Sequence, residues 1–428
     1  MLEKPRTPAV DTSPRYRYLV VGMLAFAYML NFVDRQLISI LVEPIKADLG
    51  LSDTQIGMLT GLMFALFYTV FGIPMAMIAD RRNRVKLIAV ACGIWSLFTA
   101  ASGMATNFLH LALARVGVGI GEAGCSPPSY SILSDYFPPE QRGRALGLYV
   151  LGVPAGSFVG TLVGAWIAAH YGWRTAFFVL GAVGLLFAPL LVLLVREPVR
   201  GRFDAQDTTT PGSLWDSLTF FWRSPIFILT ALACGVTSFC SYGLLNWTPA
   251  YLGRVQGMTL SQISMFFSIA VAASMVMAAW IGALISDKAG ARNPVFYALG
   301  PGVGILVTIP FVFLFTGAQT WQGSLALVVM PIMLTSIYLV PALTLLQNRT
   351  PARYRATVSS ILLFLLNLIG LGCGPLFVGA MSDYLQPTYG IGSLGLALRW
   401  LTPFMALAFL LQAASAWLIA RERQGKAD

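Results

Sequence analysis

Long apolar stretches alternate with short polar turns along almost the whole chain. A helix needs about 20 mostly apolar residues to cross a bilayer, and charges with Gly and Pro clusters divide the chain into twelve such stretches. One long polar interruption falls after the sixth stretch. The pattern therefore predicts an all-α membrane protein with twelve transmembrane helices, over residues 18–42, 54–78, 86–105, 108–131, 144–169, 175–195, 226–252, 261–285, 294–316, 321–347, 356–381 and 397–420.

The interruption predicts two pseudo-symmetric lobes of six helices each. The first residues are polar and basic, and the apolar run after them is too long for the core of a secretory signal. We therefore expect a cytoplasmic tail at each end. The predicted parts are a tail at 1–17, an N-terminal lobe at 18–195, a cytoplasmic linker at 196–225, a C-terminal lobe at 226–420 and a tail at 421–428.

The composition agrees with a membrane protein. Residues of the set AVILMFWYC make up 57% of the chain and DEKR only 11%, against about 45–50% and about 25% in soluble chains. The net charge of +10 could suggest a nucleic-acid partner, but the Lys and Arg residues are sorted by side: 22 fall in segments on the side of the N-terminus, four on the other side and two inside spans. Cytoplasmic loops are rich in Lys and Arg, so we expect both termini in the cytoplasm, the chain in the cell's inner membrane and no nucleic-acid partner.

The sequence does not indicate a metal or cofactor site. The five cysteines show no CxxC or His-rich pairing and the two histidines lie at span ends, so neither a metal site nor a disulfide framework is predicted. There is no phosphate-binding loop for ATP, so we expect no cofactor and a proton gradient as the energy source.

The two halves repeat the same charged loops. Asp80 with Arg81 and Arg84 follows span 2, and Asp287 with Arg292 follows span 8; Arg142 and Arg144 join spans 4 and 5, as Arg353 and Arg355 join spans 10 and 11. An Asp in such a turn can accept hydrogen bonds from a neighbouring helix N-terminus. We interpret these as gating loops, with topogenic charge as the alternative.

These features resemble the major facilitator superfamily over essentially the whole chain. The turn from Asp80 to Arg84 is similar to the family's signature loop between helices 2 and 3, although Ala76 and Asn83 stand where that loop has Gly. The resemblance implies two lobes that rock about a midplane site and expose it to each side in turn.

Four charged residues lie well inside predicted spans: Asp34 and Arg35 in span 1, and Arg115 and Glu122 in span 4. At 1.5 Å per residue, Asp34 and Arg115 reach similar depths, so the four can meet if the spans are neighbours. Burial favours a protonated acid and a nearby arginine favours an ionised one. We predict Asp34 and Glu122 as proton carriers, with Arg35, Arg115 and Glu122 as charge partners and substrate ligands; the alternative is a fixed charge cluster.

Milder polar residues are the remaining candidates for a cavity lining. The C-terminal lobe has no charge well inside its spans, which suggests a largely apolar wall. Any one of these polar groups can instead bridge helices. The cavity candidates are Asn31, Tyr242, Asn246, Trp247, Tyr338 and Asn367.

Three segments resemble the spinster-type transporters in a bacterial version: Asn31-Phe-Val-Asp34-Arg35, the stretch Arg115 to Gly124, and the stretch from Arg142 to Gly156. The resemblance implies proton-linked transport of a lipid-like amphiphile such as a lysolipid or a sphingoid phosphate, with Asp34 as the proton site and Arg115 and Glu122 in coupling and binding. The alternative is a proton symporter of sugar acids or sugar phosphates, and an integral-membrane enzyme is a remote one. Partners would be the bilayer, protons and a small amphiphilic or anionic substrate, and a monomer would suffice.

Overall fold

The computed structural model describes residues 13–203, 214–351 and 354–424, and every regular element in those ranges is a helix. The parts of the predicted tails and linker at 1–12, 204–213 and 425–428 lie outside the described residues, as does Arg353. The helices are α1 (Pro14–Ile40), α2 (Val42–Leu49), α3 (Asp53–Arg81), α4 (Arg84–Ser102), α5 (Phe108–Tyr136), α6 (139–171), α7 (Trp173–Leu194), α8 (Leu214–Arg223), α9 (Pro225–Arg254), α10 (Leu260–Gly290), α11 (Phe296–Thr316), α12 (Trp321–Arg349), α13 (355–389), α14 (Ser393–Arg399) and α15 (Thr402–Gln424).

Eleven helical stretches in the described ranges are long and apolar enough to cross a membrane, and the last of them, Thr357–Gln424, contains two crossings. The chain turns back there, because Arg399 just before α15 bonds Thr316 at the end of α11, whereas Glu422 near the end of α15 pairs with Arg349. The twelve predicted spans thus each coincide with a helix. The protein is an all-helical, multi-pass membrane protein.

The helices place their ends at two faces of the bundle. The face with the start of α1 and the end of α7, where the Tyr16 hydroxyl donates to the Leu194 carbonyl at 3.0 Å, is called here the terminal side. The other face, where Arg174 pairs with Asp48, is called the opposite side.

Local sequence signals set several helix starts. In α3 a capping box joins Ser52 and Gln55, and in α10 another joins Thr259 and Gln262; each satisfies backbone N–H groups that a helix start leaves free. The cap on Ser13 starts α1 at Pro14, inside the predicted tail. The predicted linker contains the short helix α8.

The two sets of six long helices pack as two lobes. Extensive contacts between the lobes join α3 to α13, α6 to α10 and α1 to α9. These contacts lie in the middle and the opposite half of the bundle. Within the described ranges, no comparably extensive contact joins the terminal halves of the lobes, so the lobes are closed on the opposite side and separate toward the terminal side.

Candidate functional site

Two ion pairs between α1 and α5 form the centre of the N-terminal lobe. Arg35 Nε donates to Glu122 Oε2 at 2.8 Å, and Arg115 Nη1 lies 3.4 Å from Asp34 Oδ2. Adjacent positions on α1 point to different partners, and the seven-residue spacing of Arg115 and Glu122 puts both on one face of α5. The structure thus brings together all four charges that the sequence placed inside the membrane; we call them the charge quartet.

The charge quartet is shielded from water. Asp34, Arg115 and Glu122 are 3%, 1% and 0% exposed, and the Arg35 side chain is 12% exposed. Charges at this depth are costly unless they are paired. The pairing is incomplete, because Asp34 Oδ1, Glu122 Oε1, Arg35 Nη2 and Arg115 Nε have no hydrogen-bond partner. Each carboxylate therefore keeps one oxygen that can accept a proton.

Aromatic rings enclose the two guanidinium groups. The Arg35 guanidinium lies 4.9 Å from the ring centre of Phe32 and 4.7 Å from those of Phe64 and Tyr68. Arg115 lies 5.2 Å from the same Phe64 ring. Cation–π contact partly replaces the water that the arginines lose. These rings were not predicted from the sequence, although Phe64 and Tyr68 are one helical turn apart on α3.

Glycines let α5 approach its neighbours closely. A Cβ at Gly119 would lie 2.8 Å from the Phe64 carbonyl oxygen of α3, and one at Gly121 would lie 2.7 Å from the Trp95 backbone nitrogen of α4. No side chain larger than hydrogen fits at these distances. The glycine-rich stretch between Arg115 and Glu122 therefore serves close packing and holds the charge quartet near α3.

Helix α5 is interrupted immediately after Glu122. The segment Phe108–Glu122 ends there, a turn follows, and a second helical segment starts at Ser126. Pro127 and Pro128 lack the backbone N–H groups that would bond the carbonyls four residues earlier. Glu122 thus occupies the last turn of a half-helix.

The cavity candidates lie in different environments. Tyr242 packs against the core of the N-terminal lobe. Asn246 accepts a hydrogen bond from Ser39 of α1 at 2.5 Å, and Asn367 is half-buried in α13. Asn31 of α1 is buried, with both polar atoms of its amide group unpaired.

Trp247 and Tyr338 are both buried. The Trp247 Nε1 donates to the Pro375 carbonyl at 2.8 Å, as is common for a large amphipathic ring packed between helices. Tyr338 belongs to an apolar cluster of the C-terminal lobe and lines a small cavity within that lobe.

The predicted gating residues lie at the terminal side. Arg84 is buried and pairs with Asp135 of α5 at 2.5 Å and with Glu197, at the start of the predicted linker, at 2.6 Å. Arg84 therefore holds α4 against α5 in this conformation. Neither of its two ion pairs reaches the C-terminal lobe. Arg142 donates to the carbonyls of Ser134 and Phe137 at 3.2 Å.

The other gating candidates are exposed. Asp80, Arg81, Arg144, Asp287 and Arg292 stand at the surface. Arg144 lies over the Tyr18 ring. Within the described ranges, the carboxylates of Asp80 and Asp287 have no hydrogen bond or ion pair.

The polar contacts that close the opposite side meet at Asp53. Its carboxylate accepts from Arg254 at 2.6 and 2.8 Å, from Lys46 at 2.5 Å and from the Ser382 hydroxyl at 2.7 Å. Asp383 of α13 in turn accepts from the backbone N–H groups of Asp53 and Thr54 at 3.0 and 2.7 Å, capping the start of α3 from the other lobe. This cluster could not be predicted from the sequence, because its members are up to 330 positions apart.

Comparisons with known proteins agree with this architecture. The model of the Major Facilitator Superfamily matches residues 24–375. An MFS-type efflux pump of Mycolicibacterium smegmatis is 33% identical over 93% of this chain and 94% of its own length. Protein spinster homolog 1 of Homo sapiens is 28% identical over 93% of this chain and 78% of its own, and a hexuronate transporter of Bacillus subtilis is 27% identical over 85% and 87%.

A solved structure resembles the whole fold. It is the crystal structure of a bacterial homolog to the human lysosomal transporter Spinster in an inward-facing and unoccupied conformation, with a TM-score of 0.85, 32% identity, and coverage of 96% of this chain and 98% of that one. The resemblance extends to both lobes. The family consists of transporters, which excludes the enzyme alternative. The chain belongs to the Major Facilitator Superfamily and is a spinster-like membrane transporter.

Proposed function

We propose that this transporter works by alternating access and is driven by a proton gradient, with the charge quartet as the coupling device. The carrying observation is that Asp34 and Glu122 are both buried and paired, yet each keeps one carboxylate oxygen without a partner. Taking up a proton removes the charge of an acid and weakens its arginine pair. Arginine stays charged throughout, so the released guanidinium becomes available to an anion.

The proposed cargo is an amphiphilic, lipid-like anion of the lysolipid or sphingoid-phosphate type. Arg35 is the quartet member with the most exposed side chain, and it supplies a positive charge for an anionic head. The one charge within the predicted spans of the C-terminal lobe is Arg399, at the start of the last span, and the otherwise uncharged spans suit an apolar tail. This is the cargo class that the resemblance to spinster-type transporters implies.

The sorting of Lys and Arg supports an orientation with the terminal side in the cytoplasm. The chain would then stand in the inner membrane of a bacterium with the site open to the cytoplasm. A single chain supplies both lobes, so a monomer is sufficient, and no cofactor is needed.

Reconstitution in liposomes with an imposed pH gradient tests the proposal. We expect gradient-driven movement of an oleoyl lysophosphatidate in the wild type and its loss in Asp34→Asn and Glu122→Gln. Glu422→Gln, which alters a carboxylate at the surface, is the matched control. Transport that ignores the gradient, or full gradient-driven accumulation in both acid variants, contradicts proton coupling.

A second candidate cargo has its own support. The similarity to a hexuronate transporter favours a proton symporter of small organic anions such as sugar acids. Glucuronate in the same liposomes distinguishes the two, because a small sugar acid gains nothing from an apolar wall. Movement of glucuronate without movement of the lysolipid would replace the first cargo by the second.

A further inference from the structure

A continuous row of aromatic rings leads from the surface of the N-terminal lobe to the charge quartet. Tyr130 of α5 is 40% exposed, and its ring centre lies 5.3 Å from that of Tyr149 of α6. Tyr149 stacks on Tyr28 of α1 at 4.6 Å with the planes 5° apart. Tyr28 meets Phe32 edge-on at 5.3 Å, and Phe32 touches the Arg35 guanidinium. We call Tyr130, Tyr149, Tyr28 and Phe32 the aromatic row.

The aromatic row starts on the terminal side of the quartet. Tyr28 precedes Asp34 on α1, which begins at the terminal side, and Tyr130 follows Glu122 on α5, which ends there. Both residues are therefore nearer to the terminal side than the quartet, where the two lobes separate. Tyr28 packs against the same apolar cluster as Tyr242 of the C-terminal lobe, so the row lies on the side of the N-terminal lobe that faces the other lobe.

The chemistry of the aromatic row differs from that of an ordinary apolar wall. A phenol hydroxyl packed against an alkyl chain would lose its water without gaining a partner. An aromatic ring can instead stack on a tyrosine face or meet its edge. Three of the four members carry a hydroxyl, and Tyr149 places its own within 3.5 Å of the Ser126 hydroxyl.

We propose that the aromatic row selects, among amphiphilic anions, those that carry an aromatic ring behind the charged head. The inference rests on the proposed function, in which Arg35 binds the anionic head. With the head at Arg35, the next part of the cargo lies along Phe32 and Tyr28, and its ring reaches Tyr130 at the entrance. One added aromatic contact increases affinity about three- to tenfold.

The test compares two alkyl phosphates of similar apolar area, 6-phenylhexyl phosphate and decyl phosphate. Their binding to the full chain in nanodiscs is measured by titration calorimetry. We expect the phenyl compound to bind the wild type about three- to tenfold more tightly. Tyr130→Leu should reduce that ratio to near one, and Tyr130→Phe should keep the ratio.

Tyr130 is chosen because its exposure lets a Leu replace it without disturbing the fold, and Tyr384→Leu, at an 80% exposed tyrosine of the other lobe, is the control. Equal binding of the two phosphates by the wild type, or a ratio that survives Tyr130→Leu, overturns the inference and leaves the proposed function standing. If neither phosphate binds, or if Arg35→Gln leaves both affinities unchanged, the assigned head-group site fails and the inference fails with it.

Discussion

Ser39 donates a 2.5 Å hydrogen bond to the side-chain oxygen of Asn246 and so ties the helix of the charge quartet to the other lobe. Ser39 stands one helical turn beyond Arg35, whose carbonyl lies 3.4 Å from the same hydroxyl. The pairing of Arg35 with Glu122 and the closure of the opposite side therefore involve the same turn of α1. This proximity gives a physical route by which protonation at the quartet can alter the lobe–lobe contact.

Ser39→Ala should weaken closure of the opposite side. One hydrogen bond contributes about 0.5–1.5 kcal/mol, so the population with separated lobes on that side should rise roughly two- to tenfold. Spin labels on the opposite ends of α1 and α10 measure this population as a longer distance. Ser274→Ala, which removes a hydroxyl bonded within the C-terminal lobe, is the control. An unchanged distance distribution in Ser39→Ala would show that the bond does not contribute to closure.

Asp53→Asn should have a larger effect on the same distance. The carboxylate of Asp53 pairs with Lys46 and Arg254 at once, and removing one partner of a buried ion pair costs about 3–5 kcal/mol. The exposed Asp48, which pairs with Arg174 within the N-terminal lobe, offers Asp48→Asn as the matched control on the same side. If Asp48→Asn opened the lobes as far as Asp53→Asn, general loss of negative charge would explain the result instead.

Arg35→Met should lower thermal stability, and lower it more at high pH than at low pH. Without Arg35, Glu122 is a buried carboxylate without its 2.8 Å partner, with a cost of about 3–5 kcal/mol when ionised. Acid restores stability, because a protonated Glu122 carries no charge to desolvate. The melting temperature across pH measures this, and the double variant Arg35→Met with Glu122→Gln should lose the pH dependence. A pH dependence that persists in the double variant would assign it to another group.

The large-scale architecture follows from the sequence because the membrane restricts what the chain can do. Backbone polar groups in lipid must be satisfied within helices, so apolar runs and charged turns located the crossings. The rarity of buried charge in the same way singled out Asp34, Arg35, Arg115 and Glu122. The short helix α8 was not predicted, because it lies in the polar segment between the two lobes.

The surroundings of those charges could not be predicted in the same way. Phe64 packs between two arginines, and Asp383 caps the start of α3, only because distant segments meet in three dimensions. The bond from Trp247 Nε1 to the Pro375 carbonyl likewise joins residues 128 positions apart. Periodicity indicates which face of a helix is polar and does not indicate which partner that face meets.

Gly121→Ala should disturb the charge quartet through packing alone. The new Cβ would lie 2.7 Å from the Trp95 backbone nitrogen, and backbone of a packed helix cannot yield as a flexible side chain does, so α5 must shift. We expect a lower melting temperature, with a loss of about 1–3 kcal/mol from overpacking, and slower transport. Gly93→Ala in α4, where a Cβ meets nothing within 4 Å, should leave both unchanged. Equal behaviour of the two variants would exclude close approach of α5 as the reason for glycine at position 121.

Asp80→Asn should change the transport cycle without changing the conformation described here. The Asp80 backbone carbonyl accepts from Arg200, but within the described ranges the carboxylate has no partner that the substitution would remove. If the gating proposal holds, that carboxylate caps a helix start of the other lobe only when the terminal halves meet. The ratio of open to closed states on the terminal side should then rise about fivefold, for a helix-end interaction of about 1 kcal/mol. Distances between spin labels at the terminal ends of α3 and α13 report this ratio, with Asp216→Asn on the linker helix as the control. If the open state of the terminal side is equally populated in the variant during transport, and transport is intact, Asp80 acts only as a topogenic charge.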